Sequence, residues 1–335
     1  MRSSLAGIVA CIAIAAVARW SAAALGVGIE TAIALGIGLL IGFVPAAHRI
    51  ALPGAKIAAR LALRAGVALL GARLTLDRVL DGGAQALLSA AVIVLVGLGL
   101  GLWAARRLAI GERLGILIAA GMAICGNSAI LALSPIVKAD GRETTYAVST
   151  ITVFGLLGVL TLPVIGHLLG MSDLQFGTWS GLAVNDTAQV VATGYAYSAP
   201  AGDAATIVKL TRNLAIAPVV IGAALLLRDS ASGATSTRLA VVRAVPWFVV
   251  GFVLLAAARS LGWLDATLPT GSSLAETLSS LASILILVAL AGVGLVADLR
   301  ATLRVGPRPF MLGVGLWLTI AAVGFVLATT LTPTA

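Results

Sequence analysis

Two short segments of this chain place side chains able to hold an ion within long apolar stretches. One is Cys125-Gly126-Asn127-Ser128-Ala129, the other Val184-Asn185-Asp186-Thr187-Ala188-Gln189. Gly126 weakens a helix, and Asn127 and Ser128 can hydrogen-bond their own backbone, so the first segment predicts a break in a helix. In the second, Asp186 is an ionisable group in an apolar setting, where a charge costs roughly 2.5–3.5 kcal/mol on insertion scales. Asp186 can carry a proton. With the oxygens of Asn185, Thr187 and Asn127 it can instead ligate Na⁺, a hard cation. Asp is also a preferred amino-terminal cap, so Asp186 is expected to cap a half-helix beginning at Thr187.

A third set, Lys209, Arg212 and Asn213, has spacings of three and four that share one helical face. Two cations that deep in an apolar run require an anionic partner, either Asp186 or a bound anion. Snorkelling of Lys209 to an interface is the competing reading. Asn127, Ser128, Gln189, Lys209 and Arg212 are the expected solute contacts, and Asn185, Asp186 and Thr187 the expected ion-coupling group, with Gln189 offering a further oxygen to Na⁺. Ser128 and His167 faintly resemble a nucleophile–base pair, but the two must come within hydrogen-bond reach to work as one. His48 and His167 are expected at interfaces. Cys11 and Cys125 have neither disulfide nor metal spacing, and no cofactor is expected beyond a coupling H⁺ or Na⁺.

The elements that must position these residues are membrane helices. The 335-residue chain is 60% hydrophobic and 10% charged, well under the charged share of a soluble domain. A spanning helix needs ~20 apolar residues, and eleven segments qualify. They are Leu5–Trp20, Leu25–Val44, Ile57–Leu74, Ala84–Ala105, Leu114–Val137, Tyr146–Leu169, Phe176–Ala196, Ala204–Leu227, Val245–Ser260, Leu278–Ala297 and Phe310–Leu331. Ile57–Leu74 and Phe176–Ala196 are the weakest as full crossings. The first segment is expected to be a retained helix ending at Arg19 and Trp20, despite a lipoprotein-like Ile8-Val9-Ala10-Cys11 box.

The formal charge of +9 does not point to nucleic acid, because the basic residues flank apolar segments. With the amino terminus inside, fourteen Lys and Arg fall inside and six outside, and Lys209 and Arg212 lie within a span. That bias predicts an amino terminus inside and a carboxyl terminus outside. The chain is expected to be one transmembrane domain, 1–335, with repeat-like halves near 25–170 and 174–331. Val67–Leu74 and Val288–Leu295 are similar strings that this topology runs in opposite directions, as an inverted repeat requires.

Ala123–Ile130, Val184–Val191, Ile207–Arg212 and Val137-Lys-Ala-Asp140 resemble the YeiH-type bacterial inner-membrane proteins, often labelled sulfate exporters. The resemblance implies an all-α polytopic transporter with inverted repeats and two broken helices. That fold is similar to those of bile-acid/sodium symporters and cation/proton antiporters. It also implies a location in the bacterial inner membrane and a small, anionic solute such as sulfate or a sulfonate. The commoner pattern has Ala at the place of Asn127 and His-Glu at the place of Asn185-Asp186, so an imidazole is lost here and the acid is shortened. The expected function is secondary active transport coupled to H⁺ or Na⁺, with a homodimer as the candidate assembly. An anion channel and an intramembrane hydrolase using Ser128 are the alternatives, and no enzyme activity is expected.

Overall fold

The computed structural model describes residues 2–25, 30–73, 76–226, 247–267, 269, 272–296 and 307–332, and these are helical apart from turns, bends and one β-bridge, Thr267 to Ser273. The chain forms two compact units, and each takes residues from both halves of the sequence.

The first unit comprises Met1–Gly82, Tyr195–Asp203 and Trp247–Asp298. Its helices are α1 (Arg2–Leu25), α2 (Glu30–Gly42) and α3 (Pro45–Leu70), followed by a 3₁₀ turn at Gly71–Arg73. The helices here numbered α12 (Trp247–Ser260) and α13 (Leu274–Val296) complete it. α3 begins well before the expected span Ile57–Leu74, because Pro45 suits the first helical turn. Glycine lets backbones approach closely. A Cβ on Gly54 would strike the Ser4 carbonyl of α1, and one on Gly294 would strike the Leu35 carbonyl of α2. Gly66 lies on Ala282 and Ile286, and Gly292 lies on Ala55 and Ala59, so α3 and α13 run antiparallel. These two helices carry the similar strings, although Leu74 and Asp298 lie outside the described residues. Cys11, Ile14, Ala55, Leu287, Ala291 and Leu295 form the core between them.

The second unit comprises Gly83–Gly194, Ala204–Pro246 and Leu299–Ala335. It holds most of α4 (Leu76–Arg107), then α5 (Glu112–Ala123), α6 (Asn127–Leu133), α7 (Gly141–Leu168), α8 (Asp173–Ala183) and most of α9 (Thr187–Tyr197). Most of α10 (Ala199–Asn213), then α11 (Ile216–Leu226) and α14 (Pro307–Leu331) follow. α7 and α8 start on capping boxes, Asp140 with Glu143 and Ser172 with Gln175, which satisfy first-turn amides. Leu117, Ile118, Ile151, Phe154, Leu182 and Ile320 pack the core. Trp179 is buried there and donates its indole N–H to the Ala321 carbonyl at 2.8 Å, so it is not an interfacial anchor as Trp20 and Trp263 can be.

Among the described residues six helical runs are long and apolar enough to cross a membrane: Ser4–Ala24, Gln85–Arg107, Gly141–Leu168, Ala199–Ala223, Leu274–Val296 and Pro307–Leu331. The two expected breaks fall within Leu114–Val137, which is α5 plus α6, and Phe176–Ala196, which is α8 plus most of α9. A third break was not expected. Ala204–Leu227 reads as one span, yet a turn at Leu214 and Ala215 separates α10 from α11. Pro218 disfavours a continuous helix here, since proline clashes with the carbonyl four residues back, that of Leu214. The basic loop Arg228–Arg243, the His48 side chain, Arg300 and Arg304 lie outside the described residues.

Candidate functional site

Both predicted breaks lie in the second unit, and they meet. α5 ends at Ala123, and Gly126 then adopts φ 64° before α6 starts at Asn127. That left-handed backbone favours glycine. A Cβ on Gly126 would lie 3.2 Å from the Cα and the amide nitrogen of Asp186, so the two unwound segments touch through their backbones. α8 ends at Ala183, Val184 is extended, and α9 starts at Thr187.

Asp186 caps α9 as its position suggests. The Ala188 amide donates to Asp186 Oδ1 at 2.9 Å, while the Asn127 side-chain amide donates to Asp186 Oδ2 at 3.3 Å. On the far side of Thr187, Asn213 Nδ2 donates to the Thr187 hydroxyl at 3.4 Å. The start of α9 thus meets the end of α10, and the two helices, joined only through Ser198, run antiparallel. Asn127, Asp186, Thr187 and Asn213 form one polar line. Asn127, Asp186 and Thr187 are half-buried, Asn213 is buried, and Ser128 is exposed.

Breaking a helix frees carbonyls that the next turn would have used. Here two buried cations take them up. Lys209 Nζ donates to the carbonyls of Ile124 (3.1 Å), Val184 (3.2 Å) and Asn185. Arg212 donates Nε–H to Ile124 at 2.6 Å, Nη1–H to Leu182, and Nη2–H to Val184 at 3.1 Å. Both side chains are fully buried. They reach the carboxyl ends of α5 and α8 together, where the helix dipole is negative and a cation is favoured. Lys209 has three donors and all three meet carbonyls. The sequence placed both residues among solute contacts; the structure commits them first to joining the two breaks. Nothing in the side-chain pattern signals those carbonyl acceptors, because freed backbone has no sequence signature.

Gln189 is held one turn along α9. Its Nε2 donates to the Thr152 carbonyl at 3.0 Å, and it lies where a Cβ on Gly155 would be. Asn185 is fully buried with its Nδ2 on Met122 Sδ at 3.0 Å. Thr152, Gly155 and Met122 carried no chemical signal of their own. The side-chain oxygens of Asn127, Asn185, Gln189 and Asn213 are buried without a hydrogen-bond partner among the described residues.

Ser128 and His167 are not brought together. Gly126 packs on Ile151, and α7 runs sixteen residues from there to His167, about 24 Å of helix rise. Exposed His167 has its Nδ1 2.8 Å from the Pro163 carbonyl. Among the described residues no three His, Cys, Asp or Glu side chains stand together as a metal cluster would require.

A family profile described as "Conserved hypothetical protein 698" matches residues 6–313. A UPF0324 membrane protein of Clostridium tetani is 31% identical over 310 residues, covering 89% of this chain and 88% of that protein. Similar proteins, also called UPF0324 membrane proteins, occur in Bradyrhizobium diazoefficiens (36% identical; 90% of this chain, 86% of that protein) and Pseudomonas aeruginosa (34%; 88% and 84%). No solved structure matches the chain.

Proposed function

We propose that this chain, which belongs to the conserved hypothetical protein 698 (UPF0324) family of YeiH-type membrane proteins, is a secondary transporter that moves a small anion and couples it to a cation. One observation carries the reading: two helix breaks with Asn and acidic or hydroxyl side chains meet at Gly126 and Asp186, and two buried cations are bonded to them. Irregular backbone inside a membrane is tolerated where it is buried in protein or lines a water-filled cavity. Broken helices of that kind hold substrate and coupling ion in secondary transporters.

Charge favours an anion as the solute. Lys209 and Arg212 bring two formal positive charges to the breaks and Asp186 one negative, which leaves one positive charge for a ligand to neutralise. Exposed Ser128 and the half-buried Asn127 offer donors there. Lys209 and Arg212 act mainly by fixing the breaks and by their field. Asp186, between Asn127 and Thr187, is the coupling group for H⁺ or Na⁺. Alternating access then exposes this centre to each side of the bacterial inner membrane in turn, with the amino terminus inside and the carboxyl terminus outside. An intramembrane hydrolase is disfavoured by the ~24 Å of helix between the level of Ser128 and His167.

The test is thermal unfolding of the purified full-length protein against sulfate, methanesulfonate and chloride, each with and without Na⁺ and at two pH values. A ligand at 100 times its Kd adds about 2.7 kcal/mol. An anion-specific shift that depends on Na⁺ or pH supports the reading. No shift from any anion under any condition overturns it.

A further inference from the structure

Four buried amide oxygens around the breaks, those of Asn127, Asn185, Gln189 and Asn213, lack a hydrogen-bond donor among the described residues. A buried polar atom without a partner costs about 1–3 kcal/mol, so four in one region mark a place where water or an ion binds. The orientation of two of these amides is fixed by what their nitrogens touch. Turning Asn127 over would set its oxygen against the Asp186 carboxylate, and turning Gln189 over would set its oxygen against the Thr152 carbonyl.

Two of the four belong to the polar line already described. Asn127 reaches Asp186 through its nitrogen and Asn213 reaches Thr187 through its nitrogen, so the two amides that carry these unpaired oxygens flank the Asp186–Thr187 pair. The Asn213 side chain is 5% exposed, which removes bulk water as its partner. A proton on Asp186 supplies one donor and cannot satisfy several oxygens at once. A metal ion can. One carboxylate among neutral oxygens suits a hard monovalent cation. A divalent ion would meet the Lys209 and Arg212 charges with too little compensation.

We propose that this centre binds Na⁺ through side-chain oxygens of Asn127, Asp186, Thr187 and Asn213, so that the cation spans the join between α9 and the end of α10. The inference rests on the reading of this centre as a transport site, and it selects sodium over the proton as the coupling ion. Asn213 becomes a ligand because the third break, after residue 213, ends α10 beside Thr187.

The experiment is thermal unfolding of the full-length protein in NaCl, KCl and choline chloride at matched ionic strength, for wild type, Asn127→Ala and Asn213→Ala. Wild type should gain a saturable, Na⁺-specific rise in melting temperature. The half-saturating Na⁺ concentration should increase roughly tenfold or more in each variant. Equal melting temperatures in all three salts, or variants that respond as wild type does, would overturn the site. The wild-type salt series decides even where a variant fails to fold. Sulfate flux in proteoliposomes separates the two readings. Flux driven by a pH gradient in choline medium, with no sodium shift, removes the sodium site and leaves the transporter. A sodium shift with no flux of any anion leaves the site and removes the transporter.

Discussion

Lys209 and Arg212 are the most expensive residues in the second unit to bury, and their carbonyl partners explain how the chain tolerates them. A buried acceptor left without its donor costs about 1–3 kcal/mol. Arg212→Met leaves the Leu182 carbonyl without its donor and strips one of two donors from Ile124 and Val184, and it should lower the melting temperature sharply. Asp186→Asn behaves differently. Asn caps a helix about as well as Asp, so the cap on α9 is kept and the protein should still fold while the cation response disappears. Gly126→Ala forces an L-residue into φ 64° against the Asp186 backbone, for a loss of about 1–3 kcal/mol in the same melting assay. Asp186 and Asn127 were legible in the sequence because a polar side chain in an apolar run is conspicuous. The bracing role of Lys209 and Arg212 was not, since its acceptors are main-chain atoms that become available only once the helices break.

Among the elements, α7 and α9 are keyed to each other by Gly155, which leaves the space that Gln189 fills. Gly155→Ala should therefore displace Gln189 and destabilise the protein. The double variant with Gln189→Ala should recover part of that loss, a coupling of about 0.5–3 kcal/mol in a double-mutant cycle. In the first unit, Arg73 pairs with Asp203 at 3.4 Å and donates to Ser283 Oγ at 2.9 Å, while Tyr195 donates its hydroxyl to Asp203. This network is partly solvated, so Arg73→Met should cost only about 1 kcal/mol, read as a small drop in melting temperature. The two breaks at Gly126 and Asp186 could be read from composition. The third could not be read from polarity, since Leu214 and Ala215 are apolar. Its one signal was Pro218, and Pro53 and Pro163 show that proline alone does not decide, because α3 and α7 continue through them.

For the whole molecule, apolar composition established a polytopic helical protein, and among the described residues six helical runs meet the length and hydropathy of a span. The interleaving of the two units was hidden, because contacts between residues far apart in sequence leave no local pattern. The asymmetry of Lys and Arg predicts that a carboxyl-terminal alkaline phosphatase fusion is active and a carboxyl-terminal fluorescent-protein fusion dark. The reverse result would remove the eleven-span topology. Coupled transport at the join of the two breaks can be measured as radiolabelled sulfate flux in proteoliposomes of wild type and Asp186→Asn side by side, with and without a Na⁺ or pH gradient. Wild type should show saturable, gradient-dependent flux and the variant none, although the variant folds. Equal flux in both proteins, or flux that follows voltage alone without saturating, would contradict coupled transport at this join.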